Sequence, residues 1–194
     1  MHIAIYGYSY LRTVKDERKR YNLAKTAKKL KIIPLGGVGE IGKNMTVIEY
    51  GSDIIIVDCG MSFPDEEMPG IDVVIPDMTY IEKNAANVRG ILITHEDHIG
   101  AVPYALQKLN VPVYATKLTI ALIEQKLTEI KVDHADLNCV SPGDTIRLGC
   151  FSVEFIKTSH SIAGACALAI NTPIGTLIHT GDFKVDYTPI DGNV

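Results

Sequence analysis

The chain has 194 residues, of which 46% are hydrophobic and 22% charged, a composition typical of one globular domain with or without an appendage. No apolar run approaches the roughly 20 residues that span a bilayer, and the first ten residues lack the basic-then-apolar order of a secretion signal. This argues against a membrane or secreted protein. The four cysteines stand far apart without a CxxC pair, which predicts reduced thiols and a cytoplasmic location.

The net charge of −4 conceals an asymmetry along the chain. Residues 12–31 hold nine of the nineteen basic residues against two acids, so this segment carries +7 and the remainder −11. A basic N-terminal segment would contact the phosphates of a nucleic acid. A solvated basic helix is an equally good interpretation of the same residues. We treat residues 1–30 as a basic N-terminal extension and residues 31–194 as the folded domain.

Beyond the extension, the predicted elements begin with a hairpin and continue as alternating strands and helices. Two β-rich runs flank Gly51-Ser52, which is a hairpin pattern, and the last third is mostly strand. This order fits sheets layered against helices. The predicted strands are 45–50, 53–58, 89–94, 111–115, 145–148, 151–157, 165–170 and 176–180, and the predicted helices are 79–84, 99–109 and 118–130.

Residues 37–42 satisfy the GxGxxG pattern of dinucleotide-binding proteins. That function requires a helix that opens at the last glycine, so that the pyrophosphate meets the helix N-terminus. Here the glycines lead into the strand-like run 45–50. The pattern therefore predicts a tight turn before strands and not a nucleotide site.

The segment 94–98 carries two histidines and an aspartate directly after the predicted strand 89–94. Imidazole and carboxylate groups are suitable ligands for Zn²⁺ or a similar ion. A polar loop in which Asp97 caps the next helix while His95 and His98 are solvated explains the same residues. The spacing alone leaves both interpretations open.

Other predicted strands also end in a histidine or an aspartate. His160 follows the strand 151–157, Asp182 lies just beyond the last predicted strand, and Asp58 closes the hairpin. Strand ends are where α/β scaffolds present catalytic groups. A metal site assembled from several loops is therefore the favoured interpretation.

Several segments, in the same order along the chain, closely resemble ribonuclease J, a family that combines a metallo-β-lactamase fold with an inserted β-CASP domain. The resemblance runs from about Lys31 to the end and does not cover residues 1–30. It implies an α/β fold, α+β in some schemes, built as an αββα sandwich of which this chain would supply the N-terminal part. The segments are 36–44, 57–60, 63–70, 94–100, 160–161 and 179–184.

The same resemblance implies a cytoplasmic ribonuclease with 5′ exonuclease and endonuclease activity on RNA that uses two metal ions, usually zinc. By position, Asp97 and His98 would bind one ion, His95 and His160 the other, and Asp182 would bridge them. Asp97 would also orient the attacking hydroxide.

The remaining candidates have lesser roles in this interpretation. Asp58 would hold a ligand histidine in its tautomer. His179 lies inside a predicted strand and is expected to be structural. His2 and His134 have no motif around them.

The chain departs from the family pattern in one motif. The family has H-x-H-x-D-H, whereas residues 94–98 read Thr-His-Glu-Asp-His, so two positions are absent, one of them a histidine. One ion would then be held by His95, His160 and the bridging Asp182 only. Loss of a ligand predicts weak or single-metal binding and little nuclease activity.

The second departure is at Val194, where the family continues into the β-CASP insertion. The family's RNA-gripping pocket, a further metal-binding histidine and the elements that make it homo-oligomeric lie beyond this point. We therefore expect uncovered strand edges in this chain, with poor solubility or self-association in isolation.

Two other functions are compatible with these residues. A metallo-β-lactamase-fold hydrolase acting on a thioester or lactam would use the same site, although the detailed match of segments 36–44 and 63–70 favours ribonuclease J. A non-catalytic remnant or pseudoenzyme would bind RNA or a partner through the basic extension, and the shortened motif favours this alternative.

Overall fold

A computed structural model describes residues 28–188, which form two β-sheets and three helices. The interpretations of residues 1–27 and 189–194 lie outside the described residues. The strands are β1 (Leu30–Gly36), β2 (Met45–Tyr50), β3 (Asp53–Val57), β4 (Val88–Leu92), β5 (Val113–Thr116), β6 (Leu137–Val140), β7 (Thr145–Leu148), β8 (Phe151–Lys157), β9 (Cys166–Thr172) and β10 (Gly175–His179), and the helices are α1 (Thr79–Lys83), α2 (Val102–Leu106) and α3 (Lys117–Ile130).

The first sheet has the strand order β1-β2-β3-β4-β5-β6, and the second has the order β10-β9-β8-β7. Strands β1 to β3 are antiparallel, whereas β3 to β6 run parallel, and the second sheet is antiparallel throughout. The predicted hairpin is confirmed, since Tyr50 pairs with Asp53 across the turn at Gly51-Ser52. The carboxyl ends of β3 and β4 therefore lie side by side.

Strand β3 shows why the first sheet is covered on both faces. Its side chains alternate, so Ile54 and Ile56 face the core shared with the helices, while Ile55 and Val57 face the second sheet. All four are buried, as expected for a strand with both faces covered.

The two cores separate the molecule into layers. Helices α1, α2 and α3 contribute Ile81, Val102 and Ile123 to the core on one face of the first sheet. Phe151, Phe155 and other second-sheet residues fill the space between the sheets. Residues 28–188 thus supply three layers of the predicted αββα sandwich, and the predicted fold class is confirmed. No helix among them is long and apolar enough to cross a membrane.

The structure differs from the predicted elements in three places. Strand β1, which pairs with β2, was not among the predicted strands. The predicted helix 99–109 is shorter, because the Ala101 N–H donates to the carbonyl of Cys59 and the helix begins only at Val102. Strand β6, which pairs in parallel with β5, was not predicted. Its four residues, Leu137–Val140, are too short a run to show a period of two.

The glycine pattern forms the predicted turn. Gly37, Gly39 and Gly42 have positive φ angles, and the loop leads directly into β2. At Gly37 a Cβ atom would lie 2.8 Å from the side-chain oxygen of Asn44, so only glycine fits there. The dinucleotide interpretation is excluded on structural grounds, because no helix follows the last glycine.

Asp53 connects the two sheets through its carboxylate. It accepts hydrogen bonds from Nε of Arg89 at 2.7 Å and from the backbone N–H of Cys150 at 2.9 Å. Burial alone would raise the pKa of Asp53, but the hydrogen bonds from Arg89 and Cys150 together with the charge of Arg89 lower it overall. A lowered folded-state pKa adds stability that is complete above the ordinary value of 3.8 and is lost as the pH falls through the lower folded value.

We expect Asp53→Asn to lower the free energy of unfolding by about 1–2 kcal/mol at pH 7, because the ion pair with Arg89 is lost. The difference from the unsubstituted chain should shrink as the pH falls below 3.8. Urea unfolding at pH 7 and pH 3 measures both values. Asp133→Asn, at an exposed aspartate, is the matched control. An equal difference at both pH values would contradict this assignment.

Candidate metal centre

A single buried carboxylate organises the end of strands β3 and β4. Asp58 directly follows β3 and accepts hydrogen bonds from the backbone N–H of Thr94 at 2.8 Å, from the Thr94 hydroxyl at 2.9 Å and from Nδ1 of His98 at 3.0 Å. Its own N–H donates to the carbonyl of Leu92. Asp58 therefore holds the segment that begins at Thr94 against the end of the sheet.

These hydrogen bonds set the tautomers of two histidines. A carboxylate can only accept hydrogen bonds, so Nδ1 of His98 carries the proton and donates it to Asp58. The Thr94 hydroxyl donates its one hydrogen to Asp58 and faces Nδ1 of His95 at 3.2 Å, where it acts as the acceptor. Both histidines consequently present the lone pair of Nε2 to the same space.

The second sheet brings two further side chains to this point. The N–H of Cys166 donates to the Thr94 carbonyl, which joins the start of β9 to the end of β4. The N–H of Lys184 donates to the carbonyl of Ser159, which ties the Asp182 loop to the His160 loop. His160 and Asp182 therefore reach the site from the ends of β8 and β10, the two strands that flank β9.

Gly181 allows Asp182 to approach. Its φ is +57°, and a Cβ atom there would lie 2.8 Å from the Cys166 carbonyl oxygen and 3.1 Å from Cβ of Thr94. The Gly181 N–H donates to Nδ1 of His179 at 3.2 Å, so the His179 ring stabilises this turn. Another residue at position 181 would displace the Asp182 carboxylate.

The ligand atoms form two overlapping groups. Those of His95, Asp97 and His160 lie within 4.8 Å of one another, and those of His95, His98 and Asp182 do the same. Nε2 of His95 is 3.7 Å from Oδ2 of Asp97 and 3.9 Å from Oδ2 of Asp182. Nε2 of His98 is 3.8 Å from Oδ2 of Asp182. His95 belongs to both groups.

The buried nitrogen atoms of this cluster fit a metal ion. Nε2 of His95 and Nε2 of His160 are buried and have no hydrogen-bond partner among residues 28–188. Buried polar atoms in folded proteins nearly always have a partner. The His95 ring is fully buried, whereas Asp97 and Asp182 remain 66% and 50% exposed. A cation would satisfy the nitrogen atoms and stay open to solvent on the carboxylate side.

The sequence of this chain matches the metallo-beta-lactamase superfamily over residues 38–194. The chain belongs to the metallo-beta-lactamase superfamily. Membership implies bound metal ions and makes the chain a hydrolase by family. The chain is 48% identical to ribonuclease J of Synechocystis sp. over 168 residues, 48% identical to that of Helicobacter pylori over 166, and 46% identical to ribonuclease J2 of Bacillus subtilis over 168.

These matches cover 84–85% of this chain but only 24–30% of each relative, so the chain spans roughly a quarter to a third of their length. The predicted resemblance to the N-terminal portion of ribonuclease J is confirmed. A protein of unknown function from Enterococcus faecalis aligns with a TM-score of 0.62 at 19% identity, over 81% of this chain and 44% of that one. YhfI, a metallo-beta-lactamase fold protein from Bacillus subtilis, aligns at 0.57 and 20% identity, over 82% and 65%. These two structures support the fold alone.

The structure brings all five predicted ligands together, but it groups them differently. His95 also joins His98, and Asp182 belongs to one of the two groups only. Asp97 was expected to share an ion with His98, but its carboxylate groups with His95 and His160. The ligand roles themselves stay predictions. His134 is exposed on the loop before β6 and belongs to neither ligand group.

Electrostatics distinguishes the two buried histidines. Burial, with a smaller effect of His98, lowers the pKa of His95, which favours the neutral form that binds metal. At His98 burial also acts to lower the pKa, but the hydrogen bond and charge of Asp58 raise it overall.

Sequence reasoning missed the role of Thr94. Thr94 connects Asp58 to His95, a role that only the folded geometry reveals. Oε2 of Glu96 is buried without a hydrogen-bond partner among the described residues, although an acid next to metal ligands is a signal that the motif already contained.

Removing the Thr94 hydroxyl should leave the ring of His95, which belongs to both ligand groups, less firmly oriented. We expect Thr94→Val to weaken Zn²⁺ binding by about 10-fold or more, as for other groups that orient a ligand histidine. Chelator competition measures the affinity. Thr119→Val is the matched control, because Thr119 is equally buried but its hydroxyl faces Thr116. Equal affinities for the two variants would contradict the role of Thr94.

Proposed function

We propose that this chain carries the metal centre of a ribonuclease J-like, metal-dependent ribonuclease that hydrolyses RNA phosphodiester bonds. The observation that carries the proposal is the convergence of His95, His98, His160 and Asp182 at neighbouring strand ends, with two buried imidazole nitrogen atoms lacking a hydrogen-bond partner among the described residues. The similarity to ribonuclease J over 84% of the chain supports RNA as substrate.

Zinc is the cofactor that this donor set suits best. Imidazole nitrogen and carboxylate oxygen are common zinc ligands. Bound zinc would polarise the scissile phosphate and lower the pKa of a water molecule.

All four cysteines are free thiols, which supports a cytoplasmic location.

We further propose that this centre holds one ion per chain. Nε2 of His95 has one lone pair and therefore binds one cation, while Nδ1 faces Thr94. Because His95 is common to both ligand groups, they compete for it. The family's two-ion chemistry would then be impaired, with low nuclease activity.

We assign proton transfer to Asp97 and substrate contact to the cavity beside the metal centre. Asp97 is 66% exposed at the rim of the site, so its carboxylate would accept a proton from an attacking water. A cavity of about 150 Å³ adjoins His98 and Asp182 and is also lined by Gly37 and Asn44. This cavity would receive the phosphate.

The stoichiometry and activity are testable together. We expect the chain to bind one Zn²⁺ and to cleave single-stranded RNA slowly in a way that a chelator abolishes. His95→Ala should lose both properties, because it removes the ligand common to both groups. His134→Ala, at an exposed histidine with no motif, should retain both. Two tightly held ions per chain would refute the single-ion proposal, and metal-independent cleavage would refute the function.

The alternative is a non-catalytic protein that binds RNA or a partner. It is favoured by the shared use of His95, which leaves the metal centre with fewer ligands than two ions need. It predicts RNA binding that survives chelation, weakens steeply with salt and is lost when residues 1–30 are deleted. Electrophoretic mobility shifts at several salt concentrations measure this. Binding that requires metal and tolerates the deletion would exclude the alternative.

A further inference from the structure

The cavity beside the metal centre is lined by more polar side chains than the proposed ligands. It has a volume of about 150 Å³ and lies where β2 begins, β3 ends and the chain leaves β10. Two of its lining residues, His98 and Asp182, are proposed ligands. Asn44, Thr46 and His179 also line it and have no role in binding the metal. This part of the cavity therefore has polar groups without an assigned function.

The position of His179 in β10 turns its side chain towards this space. Leu177, two residues earlier, packs against the core between the two sheets, and side chains two residues apart lie on the same face of a strand. On the first sheet, Thr46 pairs with Val57, which also faces the second sheet. The space between the sheets thus changes from apolar to polar at this end, where it is also open.

One nitrogen of the His179 ring already has a partner. Nδ1 accepts a hydrogen bond from the Gly181 N–H at 3.2 Å, so the neutral ring carries its hydrogen on Nε2. No hydrogen bond to Nε2 is formed within residues 28–188, and this atom does not belong to the buried atoms without a partner. Nε2 is therefore an oriented N–H donor that a ligand in the cavity can reach.

A phosphate group in this cavity needs such a donor. The glycine turn does not offer the N–H of Gly37, because that group donates to Oε1 of Glu40 at 3.1 Å. The carboxylates of Asp58 and Asp182 line the cavity and repel a phosphate unless their charges are compensated. Hydrogen bonds compensate Asp58, and the proposed cation would compensate Asp182. A donor on the His179 ring then fixes where the phosphate lies.

We propose that His179 is a substrate-positioning residue, whose Nε2–H donates a hydrogen bond to a non-bridging oxygen of the RNA phosphate beside the metal centre. The proposal rests on the proposed function and names a residue that contacts its substrate. The two nitrogen atoms of His179 then have separate roles, since Nδ1 stabilises the turn that carries Asp182 and Nε2 contacts the phosphate. The expectation that His179 is structural accounts for Nδ1 alone.

Two substitutions separate these roles. His179→Asn places an amide oxygen near the position of Nδ1, so it can still accept from the Gly181 N–H but has no donor at the position of Nε2. His179→Gln places an amide N–H near the position of Nε2 and lacks the acceptor at Nδ1. A purely structural histidine therefore tolerates Asn better than Gln, whereas a substrate-positioning histidine tolerates Gln better than Asn.

Steady-state cleavage of a short single-stranded RNA by the zinc-loaded full chain tests the proposal. We expect His179→Asn to lower kcat/KM about 10-fold, chiefly through a higher KM, because a hydrogen bond to a charged oxygen is lost. His179→Gln should stay within a few-fold of the unsubstituted chain. His134→Asn, at an exposed histidine, is the matched control and should cleave normally. Chelator competition should give the same Zn²⁺ affinity for all variants.

The outcomes distinguish this proposal from the proposed function. Equal kcat/KM for His179→Asn and His134→Asn would overturn the positioning role and leave the proposed function intact. A greater loss in His179→Gln than in His179→Asn, or an equal loss in both, would also overturn it, as would a weaker Zn²⁺ affinity that accounts for the lost activity. No cleavage by the unsubstituted chain would overturn both proposals.

Discussion

The Asp58 carboxylate is buried at the end of β3 and accepts hydrogen bonds from the Thr94 backbone, the Thr94 hydroxyl and His98. Through these three contacts it holds the start of the metal-binding segment and sets the tautomers of His95 and His98. A buried charge needs several partners to be tolerated. The same partners orient the ligand histidines, so the stability of this strand end and the geometry of the metal centre depend on one group.

The packing of two sheets supplies the rest of the centre. The Cys166 N–H on the second sheet bonds the carbonyl of Thr94 on the first, so the strand ends meet. Asp182 and His160 arrive from loops that are tied to each other through Lys184 and Ser159. His95 belongs to both ligand groups at once.

Much of this arrangement was predictable from sequence, because it depends on local patterns. The hairpin at Gly51-Ser52, the strand 151–157 and the ligands at strand ends follow from alternation, turn residues and the motif. Strand β6 was not predicted, since four residues carry too little periodicity. The pairing of Asp97 with His160, the link through Thr94 and the burial of Glu96 depend on distances between segments far apart in the chain, which no local pattern contains.

An X-ray structure of the zinc-loaded chain, with an anomalous difference map at the zinc edge, tests the central claim most directly. Our account predicts one peak per chain, in contact with Nε2 of His95. Two full peaks, or a single peak that does not contact Nε2 of His95, would contradict it.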